Sequence, residues 1–377
     1  MVPWLGDVPL TAGSDPVTFA PSERYRSAPS CDRRTVCHDG GRSARGREGQ
    51  AVTATVDEAT TAPGEIEEIK GRSLTQIAWG RLRRDKTFIA SAIVLLIILL
   101  VALFAPLITS WLGLDPYATD KTAISQSGGK PNGPWGGASL EHPLGVEWGT
   151  GRDILARLLY GLRISLLIAF SATVLVVILG TLFGVISGYA RGFTDAAIGR
   201  FMDLILAFPF LLIVLALSGA MTQRLTALGI PEGNASRITY LILVLGIFGW
   251  PYLARIVRGE VLSLREREFV EAAIAMGAST PRILFREILP NLWAPILVYA
   301  TLLLPVYIAT EAVLSFLGVG VLPPEPSFGA MLSESVQFFQ LVPSYLFIPG
   351  TLLVIVVVAF NLAGDSVRDA LDPKAAK

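Results

Sequence analysis

Six stretches of about twenty apolar residues dominate this chain: 88–108, 164–187, 201–221, 239–257, 292–313 and 345–363. An α-helix rises 1.5 Å per residue, so about 20 such residues cross the ~30 Å hydrocarbon layer of a bilayer. No water reaches the backbone there, so each stretch must close its own hydrogen bonds as a helix. The fold class that follows is an all-α membrane protein with six transmembrane helices. Composition agrees. Hydrophobic residues make up 52% of the 377, and only 16% are charged, against about a quarter in soluble domains. A soluble single-core enzyme is excluded. Pro209, Pro251, Pro305 and Pro349 fall inside the apolar stretches and are expected to bend their helices without ending them.

Residues 1–72 carry no long apolar run and are rich in Gly, Pro, Ser and Thr. Such a segment is expected to be a disordered polar tail. It lacks the basic start and apolar core of a signal peptide. Part of it is expected to precede the true start of the protein, with Val52 one candidate. Cys31 and Cys37 both lie in this tail, and the only histidines are His38 and His142. That inventory supports neither a disulfide framework nor a metal site, and no cofactor is expected.

The remaining chain divides into an interfacial segment with the first span (73–110), an outer loop (111–161), a core of five spans (162–363) and a C-terminal tail (364–377). With the N-terminus inside, the inner segments from Arg81 onward hold 15 Lys and Arg and the outer ones 7. The positive-inside rule then places both termini in the cytoplasm. Glycines 180, 184 and 188 repeat at a spacing of four, which suits close helix contact. That contact could lie within this chain or with a partner.

The inner loop between the fourth and fifth spans, 254–291, carries the most information. Glu271-Ala272-Ala273 is followed by Gly277 and, twelve residues later, by Leu289-Pro290. Residues 266–276 are good helix formers. Gly277 supplies a left-handed helix end. Thr280 as N-cap with Pro281 as first helical residue starts a second helix, which Pro290 closes. The expected product is a surface helix–turn–helix showing small residues at Ala272, Ala273 and Gly277, with Glu271 at its edge.

This run resembles the EAA loop of membrane subunits of binding-protein-dependent ABC importers. The match holds at Glu271, Ala272, Ala273, Gly277, Leu289 and Pro290, with Glu287 where the pattern has Ile. Three further stretches resemble the dipeptide, oligopeptide and nickel permeases of the DppC/OppC kind. They are His142-Pro143-Leu144-Gly145 through Gly151-Arg152-Asp153 to Leu166, then Leu314 to Gly329, and Asn361 to Pro373. Val146-Glu147 stand where Thr-Asp is usual, and Ala156 where Ser is usual. The likeness covers about residues 74–373 and implies the core fold of a type I ABC importer permease (MetI-like).

The resemblance implies that 254–291 is a coupling loop docked on a cytosolic ATPase. It also implies two ATPase subunits, a second permease forming a heterodimer with this chain, and an extracytoplasmic substrate-binding protein in a cell membrane. The solute would be a dipeptide or oligopeptide, with nickel or another small solute as the alternative. The sequence itself holds no G-x-x-x-x-G-K-[ST] run, so hydrolysis is expected on other polypeptides. Glu311 and Asp203 lie within apolar stretches and are candidates for a pathway or a structural polar role. Arg152, Asp153 and Arg163 flank the second span, as loop-fixing, partner-contacting or anchoring groups. An ion-gradient transporter would call for inverted repeats and a midplane ionisable cluster. A membrane enzyme would call for facing His, Cys or carboxylate groups. The sequence shows neither.

Overall fold

The computed structural model describes residues 74–125 and 128–371. The expected tail 1–72, its two cysteines, Val52 and the last six residues lie outside the described residues. Among the described residues twelve α-helices run in order. They are α1 (Leu74–Leu82), α2 (Lys86–Leu103), α3 (Ala105–Leu112), α4 (Ile154–Tyr189), α5 (Phe193–Ala207) and α6 (Phe210–Ala227). There follow α7 (Asn234–Leu264), α8 (Glu268–Ala275), α9 (Thr280–Arg282), α10 (Trp293–Phe316), α11 (Phe328–Ser335) and α12 (Pro343–Leu371). β-pairing among the described residues is confined to two isolated bridges, Ile124 with Pro131 and Val146 with Asp153.

Six helices are long and apolar enough to cross a membrane: α2, α4, α6, α7, α10 and α12. Their boundaries depart from the sequence reading: α4 begins at Ile154, inside the expected outer loop 111–161, α7 extends beyond 239–257 at both ends, and the first, third and last spans differ further. The first span breaks at Phe104, where α3 begins with Pro106 in its first turn. The last span runs without interruption into the C-terminal segment, so α12 reaches Leu371 as one helix. The third span is the largest departure. Residues 201–221 are two helices, because Phe208 takes extended angles (φ −84°, ψ 135°) and Pro209 starts α6. A proline disfavours helical angles in the residue before it and lacks the N–H for the ladder. Pro251, Pro305 and Pro349 stay inside their helices as expected.

The centre of the fold is α7. In its most apolar stretch 56% of residues are buried within the chain, against 11% for α6 and 17% for α2, so those two turn most of their surface outward. The partner of α7 is α4, and the glycine repeat explains how they meet. A Cβ on Gly180 would lie 2.8 Å from Leu253 Cβ, one on Gly184 2.7 Å from Val257 Cβ, and one on Gly188 2.7 Å from Val261 Cβ. Both series advance by four residues, so the two helices run in the same direction with one ridge laid along the other. The repeat is an intrachain contact. Lipid tails are as apolar as the side chains, so hydrophobicity gives little drive here and close backbone approach supplies dispersion contacts instead.

Gly184 makes a direct test, because a Cβ there also meets the Ala254 carbonyl oxygen at 2.8 Å, whereas nothing lies within 4 Å of one on Gly219. Gly184→Ala is expected to destabilise the protein by about 1–3 kcal/mol, the usual cost of overpacking. Gly219→Ala should leave thermal unfolding in detergent unchanged. Equal midpoints for the two variants would remove the α4–α7 contact from its central place.

Candidate functional site

α7 leaves the membrane-length core at Leu264 and turns through residues 265–267 into α8. At the far end of α8 the chain reverses through two paired hydrogen bonds. Ala278 N donates to Ala273 O (3.0 Å) and Gly277 N to Ile274 O (2.9 Å), with Gly277 at φ +80°. This is the helix ending in which a left-handed residue satisfies the last carbonyls, and glycine takes it without strain. No atom lies within 4 Å of where a Gly277 Cβ would sit. The angle, rather than internal crowding, calls for glycine, and the space beyond it is open.

The second helix of the loop differs from expectation. Ser279, not Thr280, stands in the N-cap position. The α-helical part stops at Arg282 and widens into a π-helical turn over Ile283–Ile288. A 3-10 turn over Leu289–Asn291 follows, ahead of α10. Pro290 has no N–H to offer the Arg286 carbonyl, which loosens the ladder upstream of it.

Two faces result. Val270, Ala273, Ile283, Ile288 and Leu292 are buried in the chain's own core. Ala273 therefore faces inward and is no part of the presented small-residue face expected for it. Glu271, Ala272, Gly277 and Pro290 are exposed and Leu289 is half-buried. Around them stand Ile274, Met276 and Phe285, exposed at 52%, 82% and 71%. Large apolar side chains gathered on a polar loop mark a surface that a partner covers. Sequence reasoning passed over these three; the available signal was their failure to repeat with the inward-facing series Val270, Ala273, Ile283.

The structure separates the two in-span carboxylates. Glu311 of α10 is fully buried. It accepts Ser165 Oγ of α4 at 2.6 Å and Ser315 Oγ at 2.7 Å. Ser315 Oγ also accepts Val321 N, so this set joins α10, α4 and the following loop. Asp203 sits on α5, outside the six candidate spans, and pairs with Arg255 Nη2 at 2.5 Å on the surface. The two do not share a site. An apolar cavity of about 530 Å³ is lined by neither of them. Its walls include Phe208 and Phe210 on either side of the α5–α6 break, Phe248 and Tyr252 of α7, and Tyr299 and Tyr307 of α10.

At the opposite end, the loop leading into α4 is pinned by charge. Arg157, wholly buried, forms an ion pair with Glu147 through Nε, donates from Nη1 to Pro324 O (2.8 Å) and from Nη2 to Glu334 (3.1 Å). Arg152 Nε reaches Glu147 at 2.7 Å. Buried arginines are tolerated only when their donors are met in this way. Asp153 caps α4 by accepting Ala156 N at 2.7 Å, and its other oxygen lies 2.9 Å from His142 Nδ1. His142 Nε2 lies 3.4 Å from Asp120. Arg152 and Asp153 thus fix the loop. Glu147 places a carboxylate at the centre of the cluster.

Comparison with known proteins adds the following. The family described as "Binding-protein-dependent transport system inner membrane component" matches residues 180–377. The "N-terminal TM domain of oligopeptide transport permease C" matches residues 73–131. The dipeptide transport system permease protein DppC of Alkalihalophilus pseudofirmus is 39% identical over 79% of this chain and 89% of its own length. The oligopeptide transport system permease protein OppC of Haemophilus influenzae is 37% identical over 81% and 91%. That of Bacillus subtilis is 37% identical over 85% and 96%.

The outer cluster predicts a pH dependence. Burial disfavours charge on His142, but the hydrogen bonds to Asp153 and Asp120 outweigh it and raise its pKa. Asp120 is held at about 2 by the Thr122 hydroxyl and backbone N–H, with His142 adding to them. A folded value above the unfolded one means the clasp is complete below the ordinary imidazole value of about 6.5 and is lost as pH rises through the raised value. Hydrogen exchange of peptides within 120–145, corrected for intrinsic rate, should therefore be slower at pH 6 than at pH 9. His142→Gln should abolish the difference. Equal protection at both pH values in the unsubstituted protein would refute the clasp.

Proposed function

The chain belongs to the family of binding-protein-dependent transport system inner membrane components, and on that footing we propose that it imports dipeptides or oligopeptides as one permease of an ATP-driven complex. The observation that carries the coupling half of this reading is the 254–291 loop. It is anchored from behind by Val270, Ala273, Ile283 and Ile288 and shows Glu271, Gly277, Met276 and Phe285 outward. A second permease completes the pathway, two cytosolic ATPase subunits receive the loop, and an extracytoplasmic binding protein delivers the solute. Both termini lie in the cytoplasm, on the side richer in Lys and Arg.

The chain's own part is mechanical. Glu271, Ala272 and Gly277 meet the ATPase surface, with Leu289 and Pro290 closing the second arm of the turn. Ala273 acts one step back, by seating α8 on the permease core. When ATP binding closes the ATPase pair, the loop is carried along, and α7, continuous with it, transmits the displacement to the core. The ATPase can shift the permease only by the difference in its affinity for the inward- and outward-facing forms. The outer clasp holds the loop that faces the binding protein, and Glu311 holds α10 to α4; neither is assigned to the solute.

Two measurements test this reading. Gly277→Trp places a bulky side chain in the open space beyond the turn and forces a non-glycine residue to positive φ. It should abolish ATP-dependent uptake of labelled tri-alanine while the membrane level stays unchanged, and normal uptake would refute docking at this turn. Glu271→Lys should reduce the ATPase subunits recovered with the chain at least about tenfold, a loss of about 1.4 kcal/mol of contact. Undiminished recovery would remove Glu271 from the interface.

A further inference from the structure

α5 and α6, which the sequence offers as one span, are attached to different halves of α7. α5 lies along the inner half. Met202 and Ile205 pack with Trp250 and Ala254, and the Trp250 ring faces Phe201 at 6.0 Å and Phe183 at 4.8 Å. Two ion pairs reinforce this. Arg258 grips Asp195 with two parallel bonds of 2.6 and 2.7 Å, and Arg255 binds Asp203. Ser187 Oγ adds a third bond to Asp195 at 2.6 Å, and Arg265 Nη1 reaches Gly188 O at 3.1 Å. The inner ends of α4, α5 and α7 are therefore tied at one corner, immediately before the coupling loop. Two-bond arginine–carboxylate pairs fix orientation as well as distance.

α6 holds the outer half instead. Tyr240 Oη donates to Val214 O at 2.6 Å, and Phe210 meets Phe248 edge-on at 5.7 Å. Between the two attachments, both strands of the assembly are weakened at one level. Phe208–Pro209 separates α5 from α6. Pro251 directly follows Trp250, at the level where the α6 contacts of α7 (Tyr240, Phe248) give way to its α5 contacts (Trp250, Ala254, Arg255, Arg258), and it has no N–H for the Ile247 carbonyl. The cavity of about 530 Å³ has walls on both sides of the break.

We propose that Asp195 and Arg258 are positioning residues that make α5, the inner half of α7 and the coupling loop one rigid body. This body pivots against α6 and the outer half of α7 at Phe208–Pro209 and Pro251, reshaping the cavity that the two bodies line. The inference rests on the coupling reading above and extends it to a hinge. Asp195 suits the part, because the Arg258 guanidinium and the Ser187 hydroxyl hold its carboxyl at about 2. It stays charged across the physiological range.

Distances between spin labels test the hinge. Gly199 of α5, Gly219 of α6 and Gly259 of α7 have nothing within 4 Å of an added Cβ, so cysteines placed there carry labels without strain once Cys31 and Cys37 are replaced by Ser. The chain is studied with the ATPase subunits that co-purify with it, free of nucleotide and trapped with ATP and vanadate. The 199–259 distance should stay constant while the 199–219 distance shifts by about 2 Å or more. A fixed 199–219 distance, or a changing 199–259 distance, would overturn the proposal. Asp195→Asn should cut the 199–219 shift at least by half, and Asp195→Arg combined with Arg258→Asp should restore it. A full shift in Asp195→Asn would remove Asp195 from the role. Retention of the ATPase subunits is scored on the same preparations and bears on the coupling reading alone, so the two can fail separately.

Discussion

The contact on which everything else depends is the side-by-side approach of α4 and α7. Burial away from water cannot hold two helices together in a medium as oily as their side chains. What holds them is the removal of side chains from one face at Gly180, Gly184 and Gly188, which lets Leu253, Val257 and Val261 settle against bare backbone. This rail sets the direction and height of α7, and α7 in turn delivers the coupling loop. A side chain introduced at Gly180, Gly184 or Gly188 would push α4 and α7 apart.

Polar groups serve as fasteners around that rail. Glu311 with Ser165 and Ser315 joins α10 to α4 inside the apolar layer. Arg157 and Arg152 with Glu147 and Glu334 fasten the outer loop and α11 to the outer end of α4. Asp195 with Arg258 fastens α5 to α7 at the other end. Each set bridges segments far apart in the chain: Arg157 and Arg152 pair with Glu147 and Glu334, Glu311 is met by two hydroxyls, and the Asp195–Arg258 pair is partly open to solvent. Glu311 and Asp203, candidates for a pathway or a structural polar role in a linear reading, each bond to a neighbouring helix in the fold.

The coupling loop was legible in outline. Its helix, its glycine turn at φ +80° and its exposed Glu271, Ala272 and Gly277 follow from local preferences and spacing. Its finer features were not. Ala273 faces inward because the α8 register is set by Val270 and by the π-helical turn beneath it, and no local rule specifies that turn. Ile274, Met276 and Phe285 read as ordinary apolar residues until the fold leaves them exposed among the described residues.

Length and apolarity alone determined that the chain spans a membrane six times as helices, since a continuous apolar stretch of about twenty residues in lipid pairs its backbone groups within itself. The glycine turn of the 254–291 loop was likewise written in residue type and spacing. Only the tertiary structure decided that the third apolar stretch is two helices, that the glycine repeat faces inward to α7, and that the buried charges are joints. Those outcomes turn on which distant segments lie side by side. Proline at 209 ends a helix where proline at 251 does not, because the neighbours packed around each decide whether a missing hydrogen bond is tolerated.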